Sequence, residues 1–443
     1  MNAYPEYKSS GIDWLGTIPQ HWNCVKTAWL FDQIGSGTTP TSVEDAFYKD
    51  GTVNWLQTGD LNDGIITETS KKVTEYAIKT KGLRLYPKGS LVIAMYGATI
   101  AKLGLLDIDT SVNQACCVLV KSKKVNSNFI FYFFQVAKKE LISLASGGGQ
   151  PNISQSTIYD FKVPVPPLVE QKTIAAYLDD VTGKLDALIA EKHKQLEDLR
   201  SYRTSLISET VTRGLDPNVP LRPSGIDWLG DIPEHWETTK LKYITSKIGS
   251  GVTPKGGSEV YSDEGILFIR SQNVYPNGLH LDDPKYISKQ IDETMCNTRV
   301  YQGDILLNIT GASIGRCCVY SLPENANVNQ HVCIIRPLPD TINNMFLCYV
   351  INSNIGQEQI AMYQTGGNRE GLNFEQLKNF TIPLPSFSEQ QTIAEFLDEK
   401  TEKIDALIGE LEKQLEELAE YKKAVISEAV TGKVDVRDWK PQN

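Results

Sequence analysis

The sequence predicts an α+β protein: two mixed α/β domains separated by two long helices packed as an antiparallel coiled coil, related by a pseudo-two-fold internal repeat. Three observations predict it. SGIDWLGTIPQHW (10–22) returns as SGIDWLGDIPEHW (224–236), with eleven of thirteen positions the same. Each copy then runs through about 160 residues of short apolar stretches broken by Gly, Pro, Asn and Asp. Each copy closes on a long stretch almost free of Gly and Pro, with apolar residues spaced 4-3-4-3.

The duplication fills the chain. IGSGTTP (34–40) returns as IGSGVTP (248–254), and YGATIAKLG (96–104) as TGASIGRCC (310–318), both offset by 214. VNQ at 112–114 returns at 328–330. FKVPVPPLVEQKTIAAYLDD (161–180) returns as FTIPLPSFSEQQTIAEFLDE (380–399), offset by 219, and ISETVT (207–212) as ISEAVT (426–431). Matches in the same order throughout mark an internal repeat, not chance similarity.

The elements follow in order. VNWLQTGDL, SLVIAMYG and ACCVLVKS read as short strands, and 128–145 and 342–362 as helical stretches. From Glu170 to Val211 the apolar residues Ile174, Leu178, Val181, Leu185, Leu188, Leu196 and Leu199 form a narrow seam, which Gly183 is expected to interrupt. The second seam holds Ile393, Leu397, Ile404, Leu407, Leu411, Leu415, Leu418 and Val425, with Ser388 and Gln391 spaced as a capping box. One such seam is unstable in water, so each helix needs a partner, and the other copy's helix supplies it.

Composition narrows the function classes. A chain of 443 residues holds two to four domains, and 41% hydrophobic residues fill real cores. The polar start carries no signal run, and no apolar stretch is long enough to span a bilayer, so a cytoplasmic location is expected. Cys116–Cys117 and Cys317–Cys318 are neighbours in strand-like runs, so their side chains should face opposite ways as reduced thiols. No histidine or cysteine spacing suits a metal. The net charge of −10 argues against nucleic acid, but it is uneven: residues 1–167 hold 16 Lys and Arg against 14 Asp and Glu, and residues 381–443 hold 8 against 14.

The copies diverge in polar segments of the α/β domains. WLQTGDLNDG (55–64) faces FIRSQNVYPNG (268–278), KKVTEYAIKTKGLRLYPKG (71–89) faces KYISKQIDETMCNTRVYQG (285–303), and SGGGQPNIS (146–154) faces TGGNREGLN (365–373). A duplicated frame with different loops suits a molecule that recognises two different things.

On the duplicated SGIDWLGxIPxHW box, the GSGxTP loop, the YGATI/TGASI segment, the PLPxxxEQ lead-in and the helices with DALI and ISExVT, the chain resembles the specificity subunits of type I restriction-modification enzymes over essentially its whole length. The resemblance implies target recognition domains at 1–167 and 217–386, and helical spacers at 168–216 and 387–443. It implies double-stranded DNA as ligand, one half of a split site per domain. It implies docking of two methyltransferase subunits and of restriction/translocase subunits. No cofactor is expected in this chain; S-adenosylmethionine, ATP and Mg belong to the partner subunits. The chain carries no Asn-Pro-Pro-aromatic methyltransferase motif and no phosphate-binding G-x-x-x-x-G-K-[ST] loop, so it reads as non-catalytic. The alternatives are the specificity subunit of a methyltransferase-only or related split-site system, and a two-headed adaptor for a ligand other than DNA.

Candidate DNA contacts come from the loops. Ser36, Thr38 and Thr39, matched by Ser250, Thr253 and Lys255, offer donors to phosphate, or form a plain turn. Lys71, Lys72, Lys79, Lys81 and Arg84 lie in a stretch with six basic residues and one acid, a phosphate-binding run or a solvated face. Gln57, Thr58 and Asp60, facing Arg270, Ser271, Gln272 and Asn273, either read base edges or hold their own loop. Lys102, Gln150, Arg316, Asn368 and Arg369 complete the set. The SGIDWLG box, with His21 and His235, is expected to be structural footing.

Overall fold

The computed structural model describes residues 2–41, 44–147, 151–364 and 371–441. It divides into two compact units, 1–193 with 413–443, and 194–412. Each unit therefore holds one α/β domain, the first part of the helix that follows it, and the last part of the other copy's helix.

In the first unit a five-stranded sheet runs in the order Ile34–Ser36, Cys116–Leu119, Leu91–Ala94, Leu103–Leu106, Gly64–Ile66. The three central strands are buried on both faces. Leu91, Ile93, Leu103, Cys117 and Leu119 pack against the helix Ser127–Val136, whose Phe129, Phe133 and Phe134 fill one core. Val92, Ala94, Leu106, Cys116 and Val118 face the other way, onto Leu56 and Val112. Strand residues alternate faces, so apolar runs such as LVIA and CCVL belong to strands covered on both sides. Cys116 and Cys117 indeed enter different cores, and burial raises the Cys117 thiol to about 12.

The second unit repeats the plan. Thr245–Ser250, Val332–Pro337, Ile305–Asn308 and Cys317–Val319 form one sheet, and Tyr286–Ile287, Ile266–Ile269, Ala326–Val328 and Arg299–Val300 a second. Cys317 and Cys318 again enter different cores. The helical stretches expected at 128–145 and 342–362 are each two helices, Ser127–Val136 with Lys138–Ser143 and Asn344–Asn352 with Asn354–Gln364.

The long helices are Leu168–Arg213 and Phe387–Val430. Two details depart from the sequence reading. Gly183 does not interrupt the first: it lies inside one continuous helix, because a single glycine costs only about 1 kcal/mol there. Ser388 does not cap the second: it sits within the helix, and Ser386 takes the Glu389 N–H at 3.3 Å.

Within each unit the helical segments run antiparallel. In the first, Asp186 meets Lys422 at 2.5 Å and Lys192 meets Gln414 at 2.6 Å. In the second, Arg200 meets Glu412 at 2.6 Å and Arg203 grips Asp405 with two bonds of 2.8 and 3.0 Å. The seam has a gap at one matching position of each helix. Ile174, Leu178, Leu185, Leu196, Ile393, Leu397, Ile404 and Val425 are buried, but Leu188 and Leu407 are exposed. A straight helix drifts about 20° per heptad from a strict 3.5-residue seam, and polar cross-helix contacts accompany the apolar ones.

The repeated box and the PLPxxxEQ lead-in meet. Trp22 and Trp236 are fully buried, and their indole N–H groups donate to Glu170 and Glu389 at 3.0 Å each. His21 and His235 bond the second carboxylate oxygen at 2.8 and 3.2 Å. Tyr4 adds a 2.6 Å bond to Glu170, and burial followed by that carboxylate pushes its phenol up. The adjacent glutamines receive the Asn126 and Asn343 N–H groups, at 2.8 Å each, as the helices after them begin. The box is said twice because each domain is bolted to the first turn of its own long helix. Glu170→Ala should cost about 2–4 kcal/mol, since the buried Trp22 N–H and Tyr4 hydroxyl lose their acceptor. Glu389→Ala, whose carboxylate takes no tyrosine bond among the described residues, should cost less. Urea denaturation of both variants checks the order.

Candidate nucleic-acid interface

Both units gather their divergent loops on the repeated VNQ segment. In the first unit the strand Ile34–Ser36 turns into 37–40 by pressing Gly37 onto Val112. The Thr38 N–H donates to the Val112 carbonyl at 3.1 Å, and a Cβ on Gly37 would lie 1.6 Å from that oxygen. The Thr39 hydroxyl donates to Gln114. The Asn113 N–H donates at 2.9 Å to Leu56, where the strand Val53–Leu56 ends and the turn 57–60 begins. Met95 donates to Ala115 at 2.8 Å, and Ile153 to Met95 at 2.7 Å, which brings in 96–102 and the segment from Asn152.

The second unit repeats the close glycine approach, the threonine–glutamine contact and three of the four backbone bonds. A Cβ on Gly251 would lie 1.7 Å from the Val328 carbonyl, and the Thr253 hydroxyl donates to Gln330. Asn329 donates to Ile269 at 3.0 Å, Ile309 to His331 at 3.0 Å and Leu372 to Ile309 at 2.9 Å. The GSGxTP glycine is thus demanded by a close backbone approach. Gly37→Ala and Gly251→Ala should each displace one loop cluster and abolish ligand binding by that unit alone. Circular dichroism should show the helices intact in both.

The sequence candidates fall into three groups. Ser36, Thr38, Gln272 and Lys255 are exposed; the Ser36 carbonyl accepts the Tyr86 hydroxyl at 2.8 Å. Gln57, Thr58, Ser250 and Ser271 are half-buried, and the Ser271 carbonyl accepts from Asn308 at 2.8 Å. The Thr39 and Thr253 hydroxyls are engaged by glutamines the sequence reading did not single out.

Asp60 and Asn273 both bond within their own loops. The Asp60 carboxylate accepts the Gln57 N–H at 2.8 Å and the Ser70 N–H at 3.1 Å. Asn273 is 3% exposed, accepts the Arg270 N–H at 3.0 Å and donates to the His280 carbonyl at 2.8 Å. A tight turn at a sheet end leaves backbone groups that a short polar side chain must satisfy. Arg270 is also held: it donates to the Asp283 carbonyl at 2.7 Å and lies 3.3 Å from its carboxylate. Lys285 and then Arg270 hold that carboxyl below its usual range.

The basic run sits on a small lobe built on Phe47, Trp55, Val73, Ala77 and Leu83. Lys71 and Lys72 lie on the strand Lys71–Val73, and Lys79 and Lys81 in the last turn of the helix Glu75–Lys81. Lys81 covers the Phe47 ring at 4.8 Å, and the Arg84 guanidinium reaches Tyr86 and Gly35. Lys71, Lys72, Lys79 and Lys102 form no ion pair among the described residues. The corresponding lobe of the second unit neutralises two of its three cations: Lys285 pairs with Asp283 at 2.8 Å, and Arg299 with the buried Asp292 at 2.6 Å. Arg316 lies over the Tyr275 ring at 4.6 Å. Gln150, Asn368 and Arg369 lie outside the described residues. Among the described residues no group of His, Cys, Asp and Glu gathers as a metal site would. Loop N–H groups, hydroxyls, amides and unpaired cations are a chemistry of binding.

The model of the type I restriction modification DNA specificity domain matches residues 19–198 and again 233–417. The type I restriction enzyme MjaVIII specificity subunit of Methanocaldococcus jannaschii is 26% identical over 95% of both chains. The EcoBI specificity subunit of Escherichia coli is 26% identical over 82% of this chain and 77% of its own. Among solved structures, a chain from work on complex assembly and conformational transition of the type I R-M system aligns with a TM-score of 0.72 at 17% identity, over 94% of this chain and 99% of that one. The HsdS subunit of Thermoanaerobacter tengcongensis aligns with a TM-score of 0.51 at 18% identity, over 94% and 98%. At such identities the two structures speak for the fold alone.

Proposed function

The chain belongs to the type I restriction modification DNA specificity domain family, as a non-catalytic DNA-recognition subunit, and we propose that each of its two units reads one half of a split duplex target. The observation that carries this is the loop cluster built twice. The same backbone bonds to the VNQ segment hold loops whose side chains differ: Gln57 against Arg270, Lys102 against Arg316. A common frame with exchanged polar groups is what two independent readers of base edges require. In this reading the domains 1–167 and 217–386 read, and the helices 168–216 and 387–443 carry them. Lys71, Lys72 and Lys79 hold phosphates, Arg84 joins them beside the GSG loop, and Gln57, Thr58, Gln272 and Arg316 face bases.

Two methyltransferase subunits dock on this chain, one per repeat, with restriction subunits joining them. Support comes from apolar side chains left exposed at matching positions: Leu188 and Leu407 on the helices, and Trp29 and Tyr243 at 66% and 64% exposure beside the sheets. No helix of the described residues is long and apolar enough to cross a membrane.

The test is to map methylated adenines in host DNA with and without the chain. A split motif that vanishes when the chain is deleted is expected. An unchanged methylome, with no DNA binding by the assembled complex, would favour the adaptor reading.

A further inference from the structure

We infer that Arg316 is a base-reading guanidinium of the second half-site, fixed in its reading position by Tyr275 and His280. This rests on the reading that the second unit binds DNA.

Arg316 closes the turn between the strands Ile305–Asn308 and Cys317–Val319, where its carbonyl accepts the Asn308 N–H at 2.9 Å. Arg203, Arg270, Arg299 and Arg336 of the same unit are each committed to an aspartate. Arg316 has no carboxylate partner among the described residues. Its guanidinium rests instead on the Tyr275 ring, centre to centroid 4.6 Å. The His280 ring is stacked on Tyr275 at 4.2 Å and 16°. Tyr275 lies on the hairpin Val274–Tyr275 with Gly278–Leu279, directly after the turn Ser271–Asn273, and His280 follows its second strand. The hairpin is pinned to that turn, since the His280 N–H donates to the Asn273 carbonyl at 2.9 Å, and the His280 ring is steadied by Asn277 at 3.1 Å.

Stacking on a ring face holds a guanidinium by its plane and leaves its edge N–H groups free. A planar fork with free edges matches the O6 and N7 acceptors of guanine. A stacked, oriented arginine also has less rotamer freedom to lose on binding than a free one. The first copy places Lys102 at the matching position, an ammonium with no such stack, so this reading belongs to the second half-site only.

The test uses the chain assembled with its methyltransferase subunits, a cognate duplex, single-pair variants of the second half-site, and a random duplex. Arg316→Ala should weaken cognate binding about ten- to a hundredfold and leave random binding nearly unchanged. One guanine position of the second half-site should lose its preference, and Arg316→Lys should not restore it. Tyr275→Phe keeps the ring and should retain discrimination. Tyr275→Leu should blunt preference at the same base pair while the first half-site is read normally, which also certifies the fold. Equal losses on cognate and random duplexes after Arg316→Ala would make Arg316 a phosphate contact and overturn the inference. So would full discrimination in Tyr275→Leu. A wild-type complex with no sequence preference would instead overturn the parent reading, and this one with it.

Discussion

A chain ended after residue 216 should assemble as a homodimer and direct methylation to a symmetric target made of two copies of the first half-site. The reason lies in how each unit is closed. In the first unit the end of the C-terminal helix, with Ile426 and Val430, packs into the core that holds Leu15, Ile18 and Trp22. In the second unit the end of the central helix does the same, with Ile207 and Val211 beside Leu229, Ile232 and Trp236. ISETVT and ISEAVT are thus interchangeable keys, and the two boxes that receive them differ at only two of thirteen positions. The chain ends mimic the internal junction: Asp435 bonds Asn2 at 2.8 Å, and Gly432, left-handed like Gly214, packs beside Trp22. The truncated chain keeps one box and one key, so two copies can satisfy each other. A lone copy would expose Ile174, Leu178 and Leu185, each worth about 1.5–3 kcal/mol when buried. Sedimentation equilibrium should give twice the mass of residues 1–216. A well-behaved monomer would contradict the account.

Replacing Lys71, Lys72 and Lys79 together with glutamine should flatten the salt dependence of DNA binding by about 2.7 in log–log slope, at about 0.9 per phosphate contact. The loss should be the same on cognate and random duplexes, because phosphate contacts carry no sequence information. Exchanging Lys285 for glutamine should leave the slope nearly unchanged, since Asp283 already neutralises it. Nitrocellulose or fluorescence titrations across a salt series measure both. An unchanged slope in the triple variant would make the basic lobe a solvated face.

Much of this architecture was legible in the sequence, for physical reasons. Repetition exposes scaffold directly, and the strand runs, the helices and the Glu-Gln lead-in all recur at fixed offsets. The opposite facing of Cys116 and Cys117 follows from strand geometry alone. The site was less legible because its contacts join residues far apart in the chain. Nothing local in VNQ announces that Val112 lies under Gly37, or that Gln114 holds Thr39; the recurrence of both motifs was the only signal. The loop bonds of Asp60 and Asn273 were not legible, because polarity alone does not say which backbone N–H groups a side chain will meet; that depends on the fold. The Tyr275–His280 stack had no signal, since it lies where the copies diverge. Leu188 and Leu407 fit the heptad spacing and still face outward, because a straight helix drifts against a strict 3.5-residue repeat and single seam positions turn away from the partner.

The central claim is that one unit reads one half-site. Its most direct measurement is methylome sequencing of cells in which residues 23–160 have been exchanged for the corresponding part of a relative with a different target. The account expects one half of the methylated motif to change to the donor's, with the other half untouched. A change in both halves, or in neither while methylation persists, would contradict it.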